Sequence, residues 1–523
     1  MSQFFTVLKI DLSMKYYFGV ALAVAGLTFC LYQMFFHPLA KYPGPTLAKF
    51  TAARAAYYAW KGDVHLDIRL CHKKYGPIIR YAPNHLCFDT VTGLKDIYLS
   101  GKDLRKDKNM GKASSVPNLL TIVDRKEHAR HRRLIGLGFS QSAMKRFNER
   151  LLHHVKSFCH AAYDAGLPEE PSGWSHPLTM SDWCSYLTFD VMADFIYGKS
   201  YDLIHRPDYR HLLKHIEESN LRTGVLLYCP QLYIGRLDRK LFPRAFTGNK
   251  VIHSFINQII QERKSENGVG QSIYEQLGTQ RKSTDHPLTP EEIRSEAMLL
   301  TIAGNDTTST TLCAALFYLG KNLHAYEKLA AEIRSKLRVV DEIGQDKTLR
   351  NCHYLHSCIY ESLRMSPPVG SSMWREVGPG GTSIDGESIP CGYGVGTGIY
   401  SIHHNAEYFP RPHDFIPERW LSEKDGFICK EQADIASAAY IPFSAGTRAC
   451  LGRHLAITEL LSTIAALILL YDFRISHTEN GELGCGHALG RHGRTNPGEF
   501  QLYDRVTSGK KGPILQLRSR KGN

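Results

Sequence analysis

No two of the thirteen cysteines stand in a C-x-x-C pair, and their number is odd. That scatter excludes a disulfide framework and points to a reducing compartment, with the thiol-rich part facing the cytosol. There is no internal repeat and no low-complexity segment, so solenoids and disordered linkers are excluded. A formal charge of +13 invites a nucleic-acid reading, yet there is no basic run with interleaved aromatics and no recognisable binding module. No nucleic-acid partner is expected; the charge suits an anionic membrane surface and an acidic protein partner. Hydrophobic residues at 43% and charged residues at 22% describe a globular chain with a sizeable core.

Long uncharged runs are scarce as well. Only Tyr16 to Phe36, 21 residues without a formal charge, is long enough to cross a bilayer as a helix. It is too long, and ends in aromatics too bulky, for a cleaved signal peptide. Lysines flank it on both sides (Lys9 and Lys15, then Lys41 and Lys49), so charge alone orients it weakly. Residues 37–45 place three prolines in nine positions and read as a stiff hinge. The expected organisation is a stub at 1–15, a single membrane anchor at 16–36, a proline-rich hinge at 37–45 and one catalytic domain at 46–523. The second apolar run, Leu460 to Tyr471, is twelve residues behind Glu459 and reads as a core helix.

The stretch IPFSAGTRACLGRHLA, residues 441–456, joins a glycine-containing loop to an apolar helix. A cation or a helix N-terminus lowers a cysteine's pKa by stabilising the thiolate. Cys450 has Arg448 two residues before it and a predicted helix, Leu451 to Tyr471, directly after. Gly446 and Gly452 allow tight turns and close approach of a flat ligand, and Phe443 can shield the sulfur. A second anomaly lies at LLTIAGNDTTSTTL, residues 299–312, in the middle of a helix predicted from the Thr289-Pro290-Glu291-Glu292 start to Leu319-Gly320. Gly304 costs roughly 1 kcal/mol against alanine there, and Asp306 is a charge in apolar surroundings. The serines and threonines can bond backbone carbonyls and bend the helix open. Asn305-Asp306-Thr307 also fits a glycosylation sequon, which a mid-helix apolar setting makes spurious.

Phe443-x-x-Gly446-x-Arg448-x-Cys450-x-Gly452 resembles the haem-ligand loop of the cytochrome P-450 family, and Ala303-Gly-Asn-Asp-Thr-Thr308 resembles that family's oxygen-binding motif. The resemblance implies a mainly α fold with a minor β portion, haem b as cofactor, and Cys450 as the metal ligand. It implies that Thr307 holds a water at the oxygen site and that Asp306 relays protons from solvent. Ser444 departs from the pattern, since many members carry glycine there. Glu361-x-x-Arg364 with Arg419 of Pro417-Glu-Arg resembles the family's buried charge triad, which serves folding and haem retention. His128 and Arg132 stand where many members have tryptophan and arginine on a propionate, and Arg375 is placed to pair another. His128 with His131 also has the spacing of a metal pair, but no third ligand is near in sequence. Val369 to Trp374 and RHGRTNPGEF, 491–500, are expected to border the substrate, and the apolar segment from Val225 to Pro243 either touches the membrane or packs in the core.

The order of these pieces is that of the fungal microsomal branch. It implies a haem monooxygenase in the endoplasmic reticulum membrane, single-pass, with its catalytic domain in the cytosol. Such an enzyme takes electrons from an NADPH-cytochrome reductase and uses O2 on a lipophilic small molecule, often a secondary metabolite. The alternatives are an isomerase or dehydratase of the same family that needs no O2, and a non-catalytic haem sensor or carrier. The Asp306-Thr307 pair counts against both.

Overall fold

The computed structural model describes residues 2–167, 173–265, 272–280, 286–344, 346–421, 426–477 and 479–520. The first helix, α1 (Ser2–Leu31), continues through a π-helical turn, Tyr32–Phe36. Its stretch Met14–Phe36 is apolar over 23 residues and only 6% buried. Hydrophobic side chains left bare over that length fit a bilayer rather than a protein core. Where it meets the rest of the chain, the fully buried Arg80 donates from Nη1 to Gln33 O at 3.0 Å and from Nη2 to Gln33 Oε1 at 2.6 Å, fixing the junction.

A five-stranded sheet forms one side of the domain: β1 (Ile78–Ala82), β2 (His85–Phe88), β3 (Leu104–Lys106), β4 (Arg375–Val377) and β5 (Gly394–Gly396), in the order β1-β2-β5-β4-β3. The first two strands pair antiparallel as a hairpin. The segment from Arg105 to Asp124 contributes the end of β3, whose Lys106 lies directly opposite Arg375 of β4.

The remaining framework is mainly helical, with one three-stranded and two two-stranded sheets among the described residues. The helices that matter for the site are α2 (Arg125–Gly136), α3 (Met180–Tyr197), α4 (His211–Tyr228), α5 (Pro290–Lys321), α6 (His353–Met365) and α7 (Arg453–Leu470). α5 runs through the centre, packed by α3, α6 and α7. Its start is the capping box foreseen in the sequence: Thr289 Oγ1 accepts from Glu292 N at 3.2 Å, and Glu292 Oε2 accepts from Thr289 N at 2.7 Å. α7 has the length and composition of a membrane span but is 67% buried over that window, a core helix as expected.

In the segment after Val225 the two alternatives divide. Val225 and Leu226 are buried, whereas Ile234 and Leu241, flanked by Arg236, Arg239 and Lys240, are 72% and 60% exposed.

Candidate haem-thiolate site

One large cavity reaches Cys450 on one side and Thr307 of α5 on another. Phe443, Arg448, Gly452, His128, Arg132 and Arg375 also border it. The side chain of Cys450 is accessible, yet to this cavity and not to bulk solvent. Its backbone N–H donates to Phe443 O at 2.8 Å, closing the loop. Burial pushes the thiol up, opposed by the Gly452 N–H and by Arg132 and Arg453. The cation near the sulfur is therefore not Arg448, as the sequence spacing had suggested. Arg448 turns away and donates to Ile122 O at 2.8 Å and Val123 O at 3.0 Å. Nor does the helix begin at Leu451: it begins at Arg453, with Gly452 as its cap.

Gly446 does not border the cavity. It takes φ +69°, and a Cβ there would lie 1.9 Å from Tyr98 O, so glycine is required to seat the loop against the sheet side. Gly452 is different. A Cβ on it would meet nothing closer than Phe139 Cε1 at 3.8 Å, so protein packing does not demand glycine there; a flat group in the cavity would. Ser444 sits at φ +58°, the left-handed region that favours glycine, which accounts for glycine in so many sequences of this pattern. Ser444→Gly should stabilise the protein by about 1 kcal/mol, read as a rise in the midpoint of denaturant unfolding; no rise would show the turn to be unstrained.

Along one edge of the cavity the cations gather without anions. Arg132 Nη1 donates to Ala449 O at 2.7 Å, and Arg375 Nη1 to Met373 O at 3.1 Å and Trp374 O at 3.2 Å. Lys106 stands across the strand pair from Arg375. Among the described residues none of Lys106, Arg132, Arg375 and Arg448 has a carboxylate within ion-pair distance. Like charges directly opposed on a sheet are destabilising, and burial with mutual repulsion pushes Lys106 well down and Arg448 down to about 10. His128 is pushed down to about 3 by burial and by Arg448, Arg132, Lys106 and Arg375, so its imidazole is neutral and can donate one hydrogen bond. A flat ligand with two carboxylates at one edge would relieve all five groups. Together with the thiol and the room at Gly452, this donor set fits haem.

On the α5 side the backbone is continuous α-helix through 303–308; the expected opening of the helix is absent. The hydroxyls bond within it: Thr307 Oγ1 donates to Ala303 O at 2.8 Å, Ser309 to Asn305 O at 2.7 Å and Thr311 to Thr307 O at 2.9 Å. At Gly304 a Cβ would fall 2.4 Å from Sδ and 2.6 Å from Cε of Met192 of α3, so the flexible end of that side chain would have to shift. From α3, Thr188 Oγ1 also donates to Asn305 Oδ1 at 2.8 Å.

Asp306 does not border the cavity. Its Oδ2 accepts from Asn220 Nδ2 of α4 at 2.7 Å and from Thr507 Oγ1 at 2.8 Å. Burial raises its affinity for a proton, against the pull of Lys510, Thr507 and Asn220. The substrate-facing wall includes Val369 and Ser371 to Trp374 as expected, but the last segment to reach it is Arg505 to Thr507, not 491–500. The earlier stretch is held elsewhere: Arg494 Nη2 donates to Asp63 Oδ1 at 2.6 Å and to Leu502 O at 2.8 Å. Lys106, Met192, Asn220 and Thr507 were not picked out from sequence; each reaches the site from a distant segment with no motif of its own.

His128 and His131 do not form a pair, since His128 faces the cavity and His131 does not. His131 meets two carboxylates: Nε2 lies 3.2 Å from Oε1 of Glu127, four residues before it on the same helix, and Nδ1 2.6 Å from Oε1 of Glu296, which sequence spacing could not reveal. The acids Glu127 and Glu292 also bind the guanidinium of Arg130.

Behind the cavity the charge triad closes around Glu361, leaving only Arg419 Nη1 of its members buried without a partner among the described residues. Glu361 Oε1 accepts from Arg364 Nη2 at 2.8 Å, Arg419 Nε at 3.2 Å and Ile416 N at 3.1 Å, and Oε2 accepts from Arg364 Nε and Trp420 Nε1, both at 2.9 Å. The Glu361, Arg364 and Arg419 side chains are all 0% exposed.

Comparison with known proteins agrees with this geometry. The family described as Cytochrome P450 matches residues 43–485. Cytochrome P450 monooxygenase AKT7 of Alternaria alternata is 38% identical over 493 residues, covering 93% of this chain and 94% of that protein. Cytochrome P450 monooxygenase poxM of Penicillium oxalicum is 40% identical over 494 residues, with 93% and 91% covered. Cytochrome P450 monooxygenase apf7 of Gibberella fujikuroi is 37% identical over 513 residues, with 94% and 95% covered. With a thiol, an anion-seeking edge and a hydroxyl-bearing helix around one cavity, and a family match over most of its length, this chain belongs to the cytochrome P450 family.

Proposed function

We propose that this protein is a membrane-anchored monooxygenase that hydroxylates or epoxidises a lipophilic small molecule in fungal secondary metabolism. Its electrons come from an NADPH-cytochrome reductase. The observation that carries the reading is the convergence of Cys450, Thr307 and the unpaired cations on one cavity. Haem b, when bound, supplies activation of O2 and transfer of one oxygen atom to the substrate. The chain's own residues hold that group and manage protons. Cys450 would supply the thiolate ligand, and Lys106, Arg132, Arg375 and Arg448, with the neutral His128, would hold the two propionates by charge-assisted hydrogen bonds. Phe443 and the apolar wall exclude water from the sulfur.

Thr307 has its hydroxyl proton committed to Ala303 O. Its remaining lone pairs can accept a hydrogen bond from a water in the cavity and so orient that water's other proton inward. Asp306 lies off the cavity with Oδ2 accepting from Asn220 and Thr507, and would relay protons from solvent toward Thr307 by giving up one of these bonds. Removing a positioned proton-transfer group lowers the rate of the step it serves by about 100-fold. Thr307→Ala should therefore cut product formation on that order while NADPH consumption falls far less. Measuring NADPH oxidised per product formed checks this, and unchanged coupling would remove Thr307 from the proton path. Product formed without reductase or O2 would replace the monooxygenase reading with an isomerase.

The location follows from the bare helix Met14–Phe36 and the exposed Ile234 and Leu241 beside it in kind. We place the protein in the endoplasmic reticulum membrane with its domain in the cytosol, which suits thirteen cysteines without a disulfide framework. The surplus of positive charge suits an acidic reductase and an anionic membrane surface.

A further inference from the structure

Asp306 does not border the cavity, and Thr307 beside it in sequence does not bond its carboxylate, since the Thr307 hydroxyl proton goes to Ala303 O. A link between acid and cavity has to come from elsewhere. Among the described residues three side chains hold the Asp306 carboxylate: Asn305 Nδ2 donates to Oδ1 at 3.1 Å, and Asn220 Nδ2 and Thr507 Oγ1 donate to Oδ2 at 2.7 and 2.8 Å. Of these three only Thr507 belongs to the cavity wall.

The direction of each bond follows from what the groups can do. Asn220 Nδ2 also lies 2.8 Å from Thr507 Oγ1. An amide nitrogen donates and does not accept, so its two N–H groups go to Asp306 Oδ2 and to Thr507 Oγ1. The Thr507 hydroxyl, having accepted one bond, has a single proton to give. With Asp306 ionised, that proton turns to Oδ2. With a proton on Oδ2, the hydroxyl is the acceptor there, because Asn220 cannot be, and its own proton is free to turn to the cavity. The segment that carries it is pinned to two helices. Thr310 Oγ1 of α5 donates to Ser508 O at 3.1 Å, and a Cβ on Gly224 of α4 would come within 3.2 Å of the Arg505 Cα and carbonyl carbon. The charged groups facing Asp306 are Lys510 and Glu217, the latter paired with Arg505. Burial favours the protonated acid and Lys510 opposes it.

We infer that Thr507 is the hydroxyl that passes protons from Asp306 into the cavity, with Asn220 as the positioning residue that aims it. In each passage the Asp306 Oδ2–H bond breaks as Thr507 Oγ1 takes that proton, and Thr507 gives its former proton to a water in the cavity. Asp306 then regains a proton from solvent, and no charge is left on the hydroxyl. This deepens the proposed function and rests on it, for it names the route by which protons reach the site where O2 is used.

The test uses the full-length, haem-loaded protein with saturating NADPH-cytochrome reductase under air. Reduction of O2 takes up protons with or without an organic substrate, so the rate of NADPH oxidation in its absence reads their supply. Thr507→Val keeps the shape and removes the hydroxyl; it should slow the oxidation by about 100-fold, and Thr507→Ser should restore it. Two links in series also give a sign that a packing role lacks. Asp306→Asn combined with Thr507→Val should be no slower than the slower single variant, because either break closes the same route. Infrared difference spectra of the resting protein between acid and neutral pH read the bond without turnover. The carboxyl band that is lost in Asp306→Asn should shift in Thr507→Val and keep its wild-type position in Thr507→Ser. A wild-type rate in Thr507→Val, no recovery with serine, slowings that multiply in the double variant, or an Asp306 band unmoved by Thr507→Val would each overturn the inference. Wild-type protein that oxidises no NADPH would remove the function itself, a result distinct from a wild-type rate that Thr507→Val leaves unchanged.

Discussion

Cys450→Ala should abolish product formation, to below detection, while leaving the fold intact. The loop does not depend on the thiol: the backbone N–H of residue 450 closes it onto Phe443 O, and Gly446 seats it against Tyr98. What would be lost is the thiolate ligand proposed for the iron, for which the nearby charged residues Arg132 and Arg453, being cations, do not substitute. Far-ultraviolet circular dichroism of the variant should overlay the wild type. Product assayed with saturating reductase should be absent. Residual turnover at a tenth of the wild-type rate would place the metal on another ligand.

Glu361→Ala should have the largest effect on stability. Glu361 is the acceptor for two buried guanidinium groups, a backbone N–H and an indole N–H, and its own carboxyl is held below the usual range by Arg364 and Arg419 despite the cost of burial. Removing one partner of a buried pair leaves the rest charged and unpaired, at about 3–5 kcal/mol. Here two arginines are stranded, against a total stability of about 5–15 kcal/mol. The variant should accumulate poorly and hold little haem, and its denaturant midpoint should drop accordingly. A wild-type midpoint would mean that the lock contributes nothing. The same group gives a sign for acid sensitivity. Its folded pKa lies below the unfolded value of 4.5, so its contribution is complete above that pH and is lost as pH falls through the folded value.

What was legible in the sequence follows the range of the interactions. The α5 cap, a four-residue signal, came out as read, and so did the short-range pattern around Cys450 that places the sulfur at a cavity. The triad was legible as three pieces in order; that Trp420 and the Ile416 N–H complete it was not, since nothing local marks a side chain as a donor to a partner about sixty residues away. Gly304 was visible as an anomaly in a helix, and only the position of Met192 on α3 shows what packs against it. Arg448 beside Cys450 in sequence points elsewhere in space, because a tight turn sends adjacent side chains apart. Lys106 joined the cation edge through a strand pairing that spans about half of the chain.

Everything proposed for the chemistry depends on a thiolate at the iron. The reduced, carbon-monoxide-bound full-length protein measures this directly by the position of its Soret band. The strongly red-shifted band of thiolate-ligated haem is the predicted result. A band at the position given by histidine-ligated haem, in protein that retains its haem, would contradict it.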